Sequence, residues 1–82
     1  MAKTFHLTIA KIGENLFDGE AQSVTLPGAE GSFTVMAGHE AFVTPLTDGN
    51  AKIKDAAGEE ISFPIEKGAL AEVSGNQATV LL

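Results

Sequence analysis

Residues 24–36 read Val24-Thr25-Leu26-Pro27-Gly28-Ala29-Glu30-Gly31-Ser32-Phe33-Thr34-Val35-Met36. Val24 and Leu26 alternate with Ser23 and Thr25. Beyond Pro27-Gly28 and Gly31, Phe33 and Val35 alternate with Ser32, Thr34 and Met36. A period of two lines one face of an extended chain with apolar side chains, and glycine supplies the backbone freedom a tight reversal needs. The stretch predicts two strands joined by a turn.

The same pattern continues in both directions. Residues 1–14, MAKTFHLTIAKIGE, alternate, with Phe5, Leu7 and Ile9 opposite Thr4, His6 and Thr8. Gly13-Glu14-Asn15 breaks the run, a short apolar step follows at Leu16-Phe17, and Asp18-Gly19 breaks it again. Ala41 to Leu46 is apolar on both faces, and Pro45 marks it as an edge, a bulge or a strand end. Ala51 and Ile53 oppose Lys52 and Lys54; Ile61, Phe63 and Ile65 oppose Ser62, Pro64 and Glu66; Ala78, Val80 and Leu82 oppose Thr79 and Leu81. Turn signals at Pro27-Gly28, Ala37-Gly38, Asp48-Gly49-Asn50, Gly58, Lys67-Gly68 and Gly75-Asn76 recur at about the eight to twelve residues expected of an all-β sandwich or barrel. No stretch shows a helical stripe. The pattern predicts eight to ten short strands in one domain over residues 1–82. Its core should include Phe5, Leu7, Val24, Leu26, Phe33, Val35, Ile61, Phe63 and Val80.

With 82 residues, such a chain buries only about 60% of its unfolded surface, so the core is thin. The absence of cysteine excludes a disulfide framework and a thiolate metal site. Formal net charge is −6, and the five basic residues are all lysines: Lys3, Lys11, Lys52, Lys54 and Lys67. An acidic chain without arginine is repelled by nucleic acid and by anionic membrane surfaces. No apolar run approaches the roughly 18 residues that span a bilayer, so no direct membrane insertion is expected.

Catalytic chemistry finds little support. Two histidines, His6 and His39, offer no short ligand spacing for a metal. His6 points away from Phe5, Leu7 and Ile9 and reads as a solvent-facing strand residue. Ser23, Ser32, Ser62 and Ser74 sit in no nucleophile-elbow pattern. Glu59 and Glu60, adjacent in an extended chain, point to opposite faces. Gly28-Ala29-Glu30-Gly31 places a carboxylate where a phosphate loop would hold its ligand. No catalytic residue, metal ligand or cofactor site is assigned. What remains is surface. Met36 points away from Phe33 and Val35, and Phe42 away from Ala41 and Val43. An exposed Met and Phe beside a polar rim suit a protein-binding patch; burial of both faces of these strands is the other reading.

TFHLTI near the start, the run from Leu16 to Leu46 and EVSGNQATVLL at the end resemble the epsilon subunit of the F-type ATP synthase. The most specific piece keeps Leu26-Pro27-Gly28, Glu30-Gly31, Phe33-Thr34-Val35, Gly38-His39 and Val43-Thr44-Pro45-Leu46 of the family pattern. Ala37 stands where the family has proline and Glu40-Ala41 where it has Ala-Pro, and the segment Lys67 to Val73 is one residue longer. The resemblance implies a two-sheet β-sandwich of about ten strands. It also implies a non-catalytic rotor subunit that binds the gamma subunit and the c-ring and helps couple proton-driven rotation to ATP synthesis. The chain would then lie on the cytoplasmic side of the energy-transducing membrane, peripheral to it through the complex. The rotor-facing residues would be Gly28, Ala29, Glu30, Gly31, Ser32, Phe33, Met36, Ala37, Gly38, His39, Glu40 and Phe42. Family members usually carry a C-terminal helical pair that can inhibit hydrolysis and in some members binds ATP. The sequence ends before it, so docking without braking and without nucleotide is expected. A lipoyl- or biotinyl-type carrier domain is an alternative on bulk properties, but Lys54-Asp55 and Lys67-Gly68 match neither attachment motif. A small hydrolase ranks last for want of a nucleophile and base.

Overall fold

A computed structural model describes residues 3–82, so Met1 and Ala2 of the alternating N-terminal stretch lie outside the described residues. Its regular elements are all strands: β1 (Phe5–Lys11), β2 (Glu14–Gly28), β3 (Gly31–Met36), β4 (Phe42–Pro45), β5 (Gly49–Asp55), β6 (Glu60–Ile65), β7 (Leu70–Ser74) and β8 (Gln77–Leu81). The 15-residue β2 organises the rest. At about 3.3 Å per residue a straight strand of that length would run about 46 Å. The longest extent of the Cα framework is 34 Å, so β2 must bend. Its register shifts twice, against β1 between Asn15 and Phe17 and against β5 between Ala21 and Ser23. An extra residue in one strand, here Leu16 and then Gln22, bends the ladder and sharpens its twist.

The bend at Gln22 lets β2 serve two layers. Its first half pairs antiparallel with β1. Its second half pairs with β3 and with β5. One layer therefore runs β4-β7-β8-β1-β2 and the other β3-β2-β5-β6. Strand β8 lies parallel to β1 and antiparallel to β7. The result is an all-β sandwich whose layers are joined through a shared strand.

Eight strands replace the ten that the resemblance implies. Asp18-Gly19 reads as punctuation, yet Gly19 stays in the ladder opposite Leu7, and the pieces around it merge into β2. The core is one cluster drawn from both layers, including Phe5, Leu7 and Ile9 of β1, Val24 and Leu26 of β2, Ile53 of β5 and Val80 of β8. No polar side chain is buried among the described residues. Phe33, Ile61 and Phe63, expected in the core, are only half-buried. They sit on β3 and β6, which each have one hydrogen-bonded neighbour, so their side chains close the open rims of the sandwich. Phe63 meets Phe17 edge-on at 6.5 Å, and Phe33 meets Phe42 at 5.4 Å. Leu82, read as sharing the face of Ala78 and Val80, is exposed just past the end of β8. Pro45 lies on the edge strand β4, which among the described residues pairs with β7 alone, where a missing N–H is tolerated.

Candidate partner-binding site

The turn from β2 to β3 is held against the end of β4. Ala29 donates its backbone N–H to the Pro45 carbonyl at 3.3 Å, and Thr47 donates to the Pro27 carbonyl at 2.8 Å. Gly28 is buried in this junction. A Cβ there would stand 2.7 Å from the Gly31 carbonyl oxygen and 3.0 Å from the Phe33 ring, so the turn closes only on glycine. Gly31, at φ +130°, opens β3 in a conformation side chains rarely adopt. Ala29, Glu30, Gly31 and Ser32 are exposed, and Phe33 turns inward to half-burial.

The connection from β3 to β4 returns to the same place. Phe42 packs its ring across Phe33, and the His39 ring lies tilted over Phe42 at a centroid distance of 5.0 Å. His39 Nδ1 lies 2.9 Å from the Glu40 carbonyl oxygen. That oxygen can only accept, so the ring makes this bond as an Nδ1–H donor. Phe33, Phe42 and His39 thus form an aromatic run between the layers. A hollow of about 360 Å³ opens over it, lined also by Gly28, Glu30, Gly31, Ser32 and Thr44. No lysine lines it.

The structure divides the expected contact residues. Gly28, Glu30, Gly31, Ser32, Phe33, His39 and Phe42 gather at the hollow, with Ala29 exposed in the same turn outside its lining and Glu40 exposed beside His39. Met36, Ala37 and Gly38 lie at the far end of β3. Met36 pairs with Ser23 and is 59% exposed. The Gly38 N–H meets Asn76 Oδ1 at 3.4 Å, and the Asn76 amide donates to the Thr4 carbonyl at 2.7 Å. Asn76, read in the sequence only as a turn residue, therefore ties three segments together. Phe42 is half-buried, and the outward residues of β4 are Val43, 61% exposed, and Pro45. Thr44, Val43 and the fully exposed Ile12 at the β1–β2 turn were not singled out by alternation. β4 is four residues long, too short for a period of two to assign its faces.

His6 is not bare. On the outer face of β1 its Nε2 lies 2.5 Å from Asp18 Oδ1, and its Nδ1 lies 3.3 Å from Glu20 Oε2. The hydrogen bond to Asp18 holds its pKa above the usual 6.5, partly opposed by desolvation, with Glu20 adding to the rise. Among the described residues no group of His, Asp and Glu is placed to hold a metal ion, and no helix is long and apolar enough to cross a membrane.

Residues 4–82 match the family described as the ATP synthase Delta/Epsilon chain, beta-sandwich domain. The chain belongs to this family. It is 40% identical over 81 residues to the ATP synthase epsilon chain of Caulobacter vibrioides, covering 99% of this chain and 91% of that protein. It is 41% identical to the ATP synthase epsilon chain of Desulforapulum autotrophicum, covering 99% of this chain and 59% of that one. The chain thus spans about three fifths of the length of the latter relative. Its fold superposes on a chain of the Euglena gracilis mitochondrial ATP synthase, solved as its OSCP/F1/c-ring assembly, with a TM-score of 0.87 at 22% identity over 95% of this chain and 49% of that one. Membership makes this sandwich the β-sandwich domain of a Delta/Epsilon chain. The carrier-domain alternative falls with that match, and Lys54 lies inside β5 instead of at a hairpin tip.

Proposed function

We propose that residues 1–82 form one sandwich domain that serves as a central-stalk rotor module of the F-type ATP synthase. The domain docks on the gamma subunit and the c-ring and helps couple proton-driven rotation to ATP synthesis. The observation that carries this reading is the family match across residues 4–82, reinforced by epsilon-chain relatives such as that of Caulobacter vibrioides. The contact surface includes the aromatic hollow, where Phe33, His39 and Phe42 from two strands and their connection converge. Rings held by packing lose little freedom on binding, which favours them at interfaces. The domain sits on the cytoplasmic side of the membrane, attached through the complex, and binds no nucleotide by itself.

Calorimetric titration with the cognate gamma subunit tests this. Saturable one-to-one binding, weakened by His39→Ala in a protein that melts as the parent does, is the expected result. Absence of binding by a folded domain refutes the rotor reading. A sharply lower melting point for His39→Ala with binding intact would remove His39 from the contact surface.

A further inference from the structure

Among the described residues, β3, β4 and β6 each pair with a strand on one side alone. Two of them carry the protection that natural edges use against pairing with another chain. β4 has only four residues and ends on Pro45. β6 carries Glu60 and Pro64. β3 has six residues, Gly31–Met36, with neither a charge nor a proline. Among the described residues it forms a ladder with β2 alone, so alternate N–H and C=O groups along its other side point outward.

The hollow lies at the start of this edge. Its aromatic floor is Phe33, Phe42 and the tilted His39 ring, and Ser32 and Thr44 stand at its sides. A strand added to a sheet edge gains its affinity from main-chain hydrogen bonds and its selectivity from pockets that take alternate side chains. An open ladder edge and such a pocket occur together here. The charge around them has one sign: Glu30 lines the hollow, Glu40 follows His39, and no lysine is present there.

We propose that β3 receives an extended strand of the rotor partner, seating one apolar or aromatic side chain in the hollow and carrying basic residues alongside it. The inference rests on the rotor reading above and adds the mode of capture. The incoming strand extends the β3-β2-β5-β6 layer by one member and covers the Phe33–Phe42 rim.

Hydrogen–deuterium exchange of the domain, alone and saturated with the cognate gamma subunit, tests it directly. Exchange across residues 31–36 should slow by about tenfold or more in the complex, because outward amides become ladder donors. Thr44→Trp fills the hollow without changing the backbone of β3 and should weaken gamma binding about tenfold or more. Lys52→Ala, on β5, should leave binding unchanged. Binding of gamma with exchange at 31–36 unaltered overturns strand addition and leaves the rotor reading standing. Wild-type affinity in a folded Thr44→Trp variant overturns the role of the hollow. No binding by the folded parent domain overturns both readings.

Discussion

Gly28→Ala should destabilise the domain although it adds only one methyl group. The new Cβ would lie 2.7 Å from the Gly31 carbonyl oxygen and 3.0 Å from two Phe33 ring carbons. The first contact is with backbone, in a turn pinned on its other side by Ala29 and Thr47 to the Pro45 and Pro27 carbonyls. Neither neighbour can retreat without opening the β2–β3 ladder or displacing Phe33 from Phe42. Overpacking of this kind costs about 1–3 kcal/mol. In a domain this small, about 2 kcal/mol corresponds to a fall in Tm of roughly 8–16 °C. Gly19→Ala is the matched control, since Gly19 also lies in β2 and its Cβ would meet nothing nearer than Phe17 at 3.9 Å. Removing a glycine from a strand where its conformation suits other residues is neutral or stabilises by about 0.4–1 kcal/mol. Calorimetric melting of both variants is the assay. If Gly28→Ala melts within about 2 °C of the parent, a shift worth well under 1 kcal/mol, the close packing of this turn against β3 is refuted.

Truncation of the core should rank by burial. Phe5→Ala removes a ring that is 1% exposed and should cost about 3–5 kcal/mol. Phe33→Ala, at a half-buried rim position, should cost roughly half as much on the same scale; urea denaturation checks the order. Asp18→Asn should lower the His6 pKa toward 6.5, because the Asp18 hydrogen bond is the largest cause of its rise; an NMR titration of the His6 ring reads this. The folded-state pKa is raised, so the stabilisation from His6 is fully present below about 6.5 and fades as pH climbs through the folded value. A pH–stability profile of the parent that flattens on Asp18→Asn over that window is the expected outcome. His39→Ala should weaken gamma binding by about 1–2 kcal/mol while leaving Tm unchanged, because the ring is exposed.

Much of this architecture is visible in the sequence because one face of each long strand is dry. Phe5, Leu7 and Ile9, Val24 and Leu26, and Ala51 and Ile53 alternate cleanly with outward residues, and all seven are buried. Register follows from that pattern, since a slip of one residue would expose the whole set. The reading loses accuracy where a residue has a neighbour on only one side. Phe33 and Phe63 have core-like spacing but lie on edge strands, and spacing carries no information about which strands end a sheet. The Asp18-Gly19 step misleads for a related reason. Glycine in a strand reads as a stop, yet here it faces Leu7 while β2 passes through toward its bend at Gln22. Gly28 to Phe33 and His39 to Phe42 lie in adjacent segments, but alternation could not show that Phe33 and Phe42 would touch. That contact depends on β3 and β4 belonging to different layers. Asn76 was beyond reach for the same reason. Its partners Thr4 and Gly38 lie 72 and 38 residues away in the chain.

The position of the hollow relative to β2 bears on how such a domain could resist the forces of a rotor. β3 is held to the molecule along the second half of β2, from Ser23 to Gly28. The first half of that strand forms the ladder with β1, which joins β8 and β7. The β3 edge is therefore linked by backbone hydrogen bonds through β2 to strands of both layers. The interior gives the same result, since Val24 and Leu26 of β2 and Leu7 and Ile9 of β1 belong to one apolar cluster. A thin core would give way early if the partner held a loop joined to one sheet alone. Gripping the sandwich where its shared strand ends puts the load on the element with the most hydrogen-bonded neighbours, β1, β3 and β5. Loosening the bend in β2 should then weaken gamma binding even though Gln22 lies outside the hollow.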